Sequence, residues 1–224
     1  RAPTTLGVGV ATYGRAVAAA GDVDGDGFGD LIVSAPDVGR VYLHRGSATG
    51  AVVAAAWEIV GPGIGFGADV ASAGDVNADG FADIVVGAPS IGRALIYHGA
   101  AAGLGATPVS AATLTGTPDF GASVACAGDV NGDGYADVVV GAPISKRAYV
   151  HLGSASGVSM TGAMLSVPGP GAFGAAVASA GDVDADGYDD VIVGAQAARL
   201  AWIFGGAGMG IALTPSTTFA QPPG

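Results

Sequence analysis

The sequence predicts an all-β chain: a β-propeller of four-stranded antiparallel blades, with four repeats. Three observations support this. A composite motif recurs four times in phase, the segments between its turns are short and rich in Val and Ile, and no stretch shows a useful helical stripe. The string Gly-Asp-Val stands at Gly21-Asp22-Val23, Gly74-Asp75-Val76, Gly128-Asp129-Val130 and Gly181-Asp182-Val183, so its aspartates lie 53, 54 and 53 residues apart. Four-stranded units repeating every ~40–50 residues are the mark of blades around a central channel.

Every unit reads in the same order. An aromatic-Gly pair comes first, at Tyr13-Gly14, Phe66-Gly67, Phe120-Gly121 and Phe173-Gly174. An Ala- and Gly-rich first strand follows, suited to the crowded position nearest the axis. After the Asp-rich loop comes an apolar run, such as Ile84-Val85-Val86, and then a turn: Ser34-Ala35-Pro36, Gly87-Ala88-Pro89, Gly141-Ala142-Pro143 and Gly194-Ala195-Gln196. A basic residue, Arg40, Arg93, Arg147 or Arg199, opens the third strand, and the turn before Arg199 reads as one residue shorter than the others. In the second repeat the strands are expected near Ala68–Ala73, Asp83–Gly87, Arg93–Tyr97 and Ala112–Thr115.

The outer-strand pattern of Trp57-Glu58-Ile59, Thr113-Leu114-Thr115, Met164-Leu165-Ser166 and Thr217-Thr218-Phe219 occurs once more, at Thr5-Leu6-Gly7. One domain over 1–224 is therefore expected, with repeats 13–65, 66–119, 120–172 and 173–224 and a spare outer or closure strand in 1–12. The surplus strand admits three readings: an overlapping closure, a cut from a longer array, or an edge that pairs with a second chain.

The chain has 224 residues, half of them hydrophobic, with 41 Gly and a formal net charge of −11. Such apolar content argues against disorder. Nucleic acid and anionic lipid attract basic patches, so an acidic chain suits neither, and a cation is the more natural partner. No run of ~18 apolar residues is available to span a bilayer. One cysteine allows no intramolecular disulfide, and the chain opens at Arg1 without a basic and then apolar leader, so any secretion signal is expected to lie outside it.

The loops carry the chemistry. They run from Asp22 through Asp24, Asp26 and Phe28 to Asp30, then from Asp75 through Asn77, Asp79 and Phe81 to Asp83. The third runs from Asp129 through Asn131, Asp133 and Tyr135 to Asp137, and the fourth from Asp182 through Asp184, Asp186 and Tyr188 to Asp190. Loop positions 1, 3, 5 and 9 always offer a side-chain oxygen, and position 6 is always Gly. Alternating residues in a tight loop aim carboxylates at one centre, the glycine permits the sharp turn, and the position 7 carbonyl can join them. That is a Ca²⁺ donor set, with up to four ions, one per repeat. No His or Cys is in phase with the loops, which disfavours zinc, copper and iron. An EF-hand would need Glu at position 12, where Val33, Val86, Val140 and Val193 stand instead.

Aromatic-Gly, Asp-x-[Asp/Asn]-x-Asp-Gly-x-x-Asp and Gly-Ala-Pro together resemble the FG-GAP repeat of integrin α-subunit headpieces, over nearly the whole chain. The resemblance implies a propeller with calcium in the hairpin loop between the first two strands of a blade. It also implies extracellular adhesion and ligand recognition. The family ring usually has seven blades; this chain has four repeats, and the fourth has Gln196 where Pro is expected. Two chains could complete an eight-bladed ring, and a four-bladed monomer is the simpler rival.

Other residues read as architecture. The four arginines would form a ring able to hold an anion, but a repeated position usually serves the fold, with each Arg bonded inside its own blade. His44 and His151 align with each other, His98 falls one position later, and Cys126 aligns with small residues. The favoured function is a non-catalytic extracellular recognition, adhesion or scaffold module for a protein or glycan. The alternatives are a lectin-like propeller and, behind it, an enzyme with a site at the central channel. A homodimer through ring completion or strand exchange is a further expectation.

Overall fold

Short apolar strands joined by tight Gly and Asp turns pair only with their sequence neighbours, and the result is four meanders. The computed structural model describes residues 12–169 and 171–221. The first sheet holds β1 (Val17–Gly21), β2 (Asp30–Ala35), β3 (Arg40–His44) and β4 (Trp57–Val60); the second holds β5 (Val70–Gly74), β6 (Asp83–Ala88), β7 (Arg93–Tyr97) and β8 (Ala112–Thr115). The third is β9 (Ser123–Gly128), β10 (Asp137–Ala142), β11 (Arg147–His151) and β12 (Ala163–Leu165). The fourth joins β13 (Phe173–Gly181), β14 (Asp190–Ala195), β15 (Leu200–Phe204) and β18 (Thr217–Ala220), and a two-stranded ribbon of β16 (Gly206–Ala207) and β17 (Gly210–Ile211) interrupts it. All pairings are antiparallel, as the sequence predicts for propeller blades. The expected spare strand at Thr5-Leu6-Gly7 lies outside the described residues.

The blades meet through their first strands: β1 packs on β5, β5 on β9 and β9 on β13, the side-by-side order of strands around an axis. Small residues there let the backbones approach. Each core lies between blades rather than within one. Ile32, Val41 and Ile59 of the first blade enclose Phe66 with Val86 and Leu95 of the second. Phe120 and Phe173 fill the same place at the next two joints, and all three rings are fully buried. The aromatic of each aromatic-Gly pair is therefore a wedge between blades.

Two local devices position the loops. Each first strand shifts register just before its glycine, as between Ala19 and Gly21 or Ser72 and Gly74. Gly21, Gly74, Gly128 and Gly181 there have φ from +69 to +83°, a region glycine enters at little cost. Past the second strand, Pro36–Val38, Pro89–Ile91 and Gln196–Ala198 form single 3₁₀ turns closed by left-handed caps at Gly39, Gly92 and Arg199.

That last cap corrects the arginine alignment. Ala35, Ala88 and Ala142 pair with Arg40, Arg93 and Arg147, but Ala195 pairs with Leu200. Arg199 holds the cap position of Gly39, at φ +57°, so the fourth turn is not shorter and the four arginines are not equivalent. Of the four, Arg40 forms an ion pair, with Glu58 of its own blade.

Candidate metal loops

An aspartate that follows a left-handed glycine cannot continue the strand, and its side chain takes over the bonding of the turn. In the first loop Asp22 Oδ1 accepts the N–H groups of Gly25 and Asp26 at 2.8 and 3.1 Å, and Oδ2 accepts that of Gly27 at 2.8 Å. Asp129 repeats all three bonds, and Asp75 and Asp182 repeat those from positions 5 and 6, the Gly80, Gly134 and Gly187 N–H being taken at 2.8, 2.8 and 3.0 Å. Position 5 closes a smaller turn: Asp26, Asp79, Asp133 and Asp186 accept the N–H of Phe28, Phe81, Tyr135 and Tyr188 at 2.9 to 3.0 Å. Position 7 is thus held by its backbone, which leaves its carbonyl available to a cation.

Position 9 is the buried anchor. Asp30, Asp83, Asp137 and Asp190 are at most 1% exposed. One oxygen of each accepts the N–H of the loop valine, at 3.1, 2.9, 2.8 and 2.9 Å. The other accepts the N–H of Gly46, Gly99, Gly153 or Gly206, at 2.9, 2.8, 2.7 and 2.9 Å. The loop is thereby tied to the connection after the third strand. Burial above all, with neighbouring aspartates, pushes the carboxyls of Asp83 and Asp137 up to about 6, against the lowering effect of the two backbone donors and, at Asp83, of His98. A carboxylate so placed is short of positive charge, which a divalent ion would supply.

Position 3 divides the loops into two kinds. Oxygens of Asp22, Asp24 and Asp26 lie within 4.8 Å of one another, as do those of Asp182, Asp184 and Asp190. In the other two loops Asn77 and Asn131 donate from Nδ2 to Asp79 and Asp133 at 2.9 and 2.8 Å. The first and fourth sets thus gather hard carboxylate oxygens at one end of a sheet, a donor chemistry that fits Ca²⁺, whereas in the second and third the Asn Oδ1 accepts the position 5 N–H at 3.1 and 3.3 Å.

Three features of the site were not read from the sequence. The glycines bonded to position 9 stand sixteen residues beyond it in every repeat, a signal that could have found them. Arg45 pairs with Asp24 at 2.6 Å and stacks on Trp57, and His98 Nδ1 lies 3.3 Å from Asn77 Nδ2, so the same place in two repeats faces loop position 3. Position 4 is left-handed throughout, at Gly25, Ala78, Gly132 and Ala185.

His44 and His151 serve the core. Their Nδ1 atoms meet the carbonyls of Val52 and Ser159 at 3.2 and 2.9 Å, and burial holds the His151 imidazole below its ordinary value. Burial likewise raises the Cys126 thiol. Among the described residues no helix is long and apolar enough to cross a membrane.

The model of the FG-GAP-like repeat family matches residues 22–86, 75–140 and 129–193. The chain is 35% identical over 155 residues to integrin alpha-4 of Xenopus laevis, covering 61% of this chain and 15% of that protein. It is 38% identical over 145 residues to integrin alpha-6 of Gallus gallus, covering 58% of this chain and 13% of that protein. The chain thus spans about a seventh of the length of these curated relatives. A crystal structure of a protein from Lactobacillus plantarum superposes with a TM-score of 0.64 at 13% identity, covering 94% of this chain and 56% of that one, a likeness of fold.

Proposed function

Because the chain belongs to the FG-GAP-like repeat family, we propose that it is a calcium-binding, non-catalytic recognition or adhesion module that works outside the cell. The observation that carries this reading is the fourfold loop. Each repeat carries side-chain oxygens at positions 1, 3 and 5 and a buried position 9 carboxylate, and its position 5 carboxylate accepts the position 7 N–H. We assign one Ca²⁺ to each loop, bound by the side chains of positions 1, 3, 5 and 9 and the carbonyl of position 7. The ions would offset repulsion within each loop and stiffen one end of every blade. The surface between loops would then be presented to a protein or glycan ligand. The unit so stabilised is one propeller domain with repeats 13–65, 66–119, 120–172 and 173–224.

Extracellular calcium modules bind at ~10⁻⁴–10⁻³ M, and that range is expected here by calorimetric titration with calcium chloride. The melting temperature should rise with calcium and fall back in EDTA. Asp79→Ala should remove one site from the titration and narrow the gap between the two melting temperatures. A melting temperature indifferent to calcium, EDTA and that substitution would end the metal assignment.

A further inference from the structure

The first loop differs from the others in what meets its position 3. Asp24 is 7% exposed, whereas Asn77 and Asn131 are half-buried and Asp184 is exposed. Its Oδ1 accepts the N–H of Asp26 at 3.3 Å, and its Oδ2 lies 2.6 Å from Arg45 Nε, so both oxygens are engaged. In the second and third loops the position 3 amide itself donates to the position 5 carboxylate. An aspartate has no such donor, and Arg45 brings the positive charge from outside the loop. Among the described residues no other loop carboxylate forms an ion pair.

Arg45 directly follows β3, and the residues at that place in the other blades are His98, Leu152 and Gly205. Its contact with Asp24 is one of charge without hydrogen-bond alignment, which leaves Nε buried and unsatisfied. The guanidinium stacks 4.6 Å from the ring centre of Trp57, a cation–π contact that holds it beside the loop. Trp57 in turn reaches the second blade. Gly103, in the connection between β7 and β8, lies so close to the indole that a methyl there would overlap it. The contacts from Asp24 to Gly103 thus lie at the joint between the first two blades.

Resting on the calcium reading of the loops, we propose that Arg45 is the resident counter-ion of the first loop and must leave Asp24 before that loop completes its donor set. With Arg45 counted, the first loop carries a formal charge of −3, the same as the three carboxylates of each Asn loop. Arg45 therefore cancels the advantage of the fourth carboxylate. A single charge held ~6 Å from a divalent one in water weakens its binding by about a factor of ten. Filling of the first loop also frees the face of Trp57, so occupancy there is coupled to the packing of the second blade.

Trp202→Phe leaves Trp57 as the sole tryptophan, and this chain is titrated with calcium chloride by fluorescence and by calorimetry. Trp57 emission should change in step with one calorimetric site. Adding Arg45→Gln should tighten one site about tenfold and remove most of the emission change. Arg45→Lys keeps the charge and should bind calcium close to the parent value, which separates charge from packing. Asp24→Asn removes the partner that holds Arg45, so its emission in EDTA should move toward that of the calcium-loaded parent. Calcium affinities unchanged by Arg45→Gln, or Trp57 emission indifferent to calcium and to Asp24→Asn, would overturn the inference and leave the metal assignment standing. A chain that takes up no calcium would end both. Circular dichroism melts close to the parent's would confirm that the variants are folded.

Discussion

At the scale of the residue, glycine at loop position 6 and the residue at position 4 are both left-handed, yet only the first is obligatory. Ala78 sits at φ +54°, inside the small left-handed well that alanine can enter, whereas Gly80 sits at φ +92°, beyond it. A methyl on Gly80 would meet nothing within 4 Å, so the cost of Gly80→Ala is backbone strain alone. That cost should be about 1–3 kcal/mol of stability, measured by urea denaturation. Ala78→Gly should stay within about 1 kcal/mol of neutral, because relief of strain opposes the entropy of the unfolded glycine. Equal losses from the two would refute the distinction. The oxygen positions were legible because alternate Asp and Asn stand in phase four times. The partners of position 9 were not, because the bond is made by a backbone N–H, which every residue but proline carries.

At the scale of the element, the strands could be read closely because Val, Ile and turn residues punctuate them. Arg93–Tyr97 and Ala112–Thr115 form as expected, and Val70–Gly74 and Asp83–Ala88 differ by a residue or two. The exchange of Arg199 for a cap glycine was hidden by its neighbourhood, since an arginine opens the strand in the other repeats and stands one place earlier here. The aromatic-Gly pair was legible as a landmark but not as a wedge, because its contacts reach the preceding blade. Phe120 lies over Gly116 and stacks on Tyr149 and His151 with centroids 5.3 and 5.9 Å apart. Phe120→Ala should cost about 3–5 kcal/mol by denaturant titration, since it opens a cavity between two blades. Tyr13→Ala should cost less, about 1–2 kcal/mol, from its 2.7 Å bond to His44 and its contact with Tyr42. A Tyr13 loss as large as that of Phe120 would mean that the first aromatic is enclosed after all.

At the scale of the whole molecule, most of the acidic charge is concentrated where the blades turn. Nineteen acidic residues stand against eight basic ones, and fourteen of the nineteen occupy loop ligand positions. Within the first and fourth loops carboxylate oxygens approach within 4.8 Å of one another, a separation well inside the ~10 Å screening length of 0.1 M salt. Added salt shortens that length to ~3 Å at 1 M and so weakens repulsion within each loop. Four bound Ca²⁺ would cancel eight of the eleven excess negative charges and leave little for salt to screen. In EDTA, sodium chloride raised from ~0.1 to ~1 M should therefore lift the melting temperature by several degrees, where ~1 kcal/mol corresponds to ~2–4 °C for a chain of this size. In saturating calcium the same addition should give a clearly smaller rise. General salt effects on apolar burial enter both titrations alike, so the difference between the slopes isolates the loop charges. Parallel slopes would show that repulsion in the loops does not govern stability, whatever binds there.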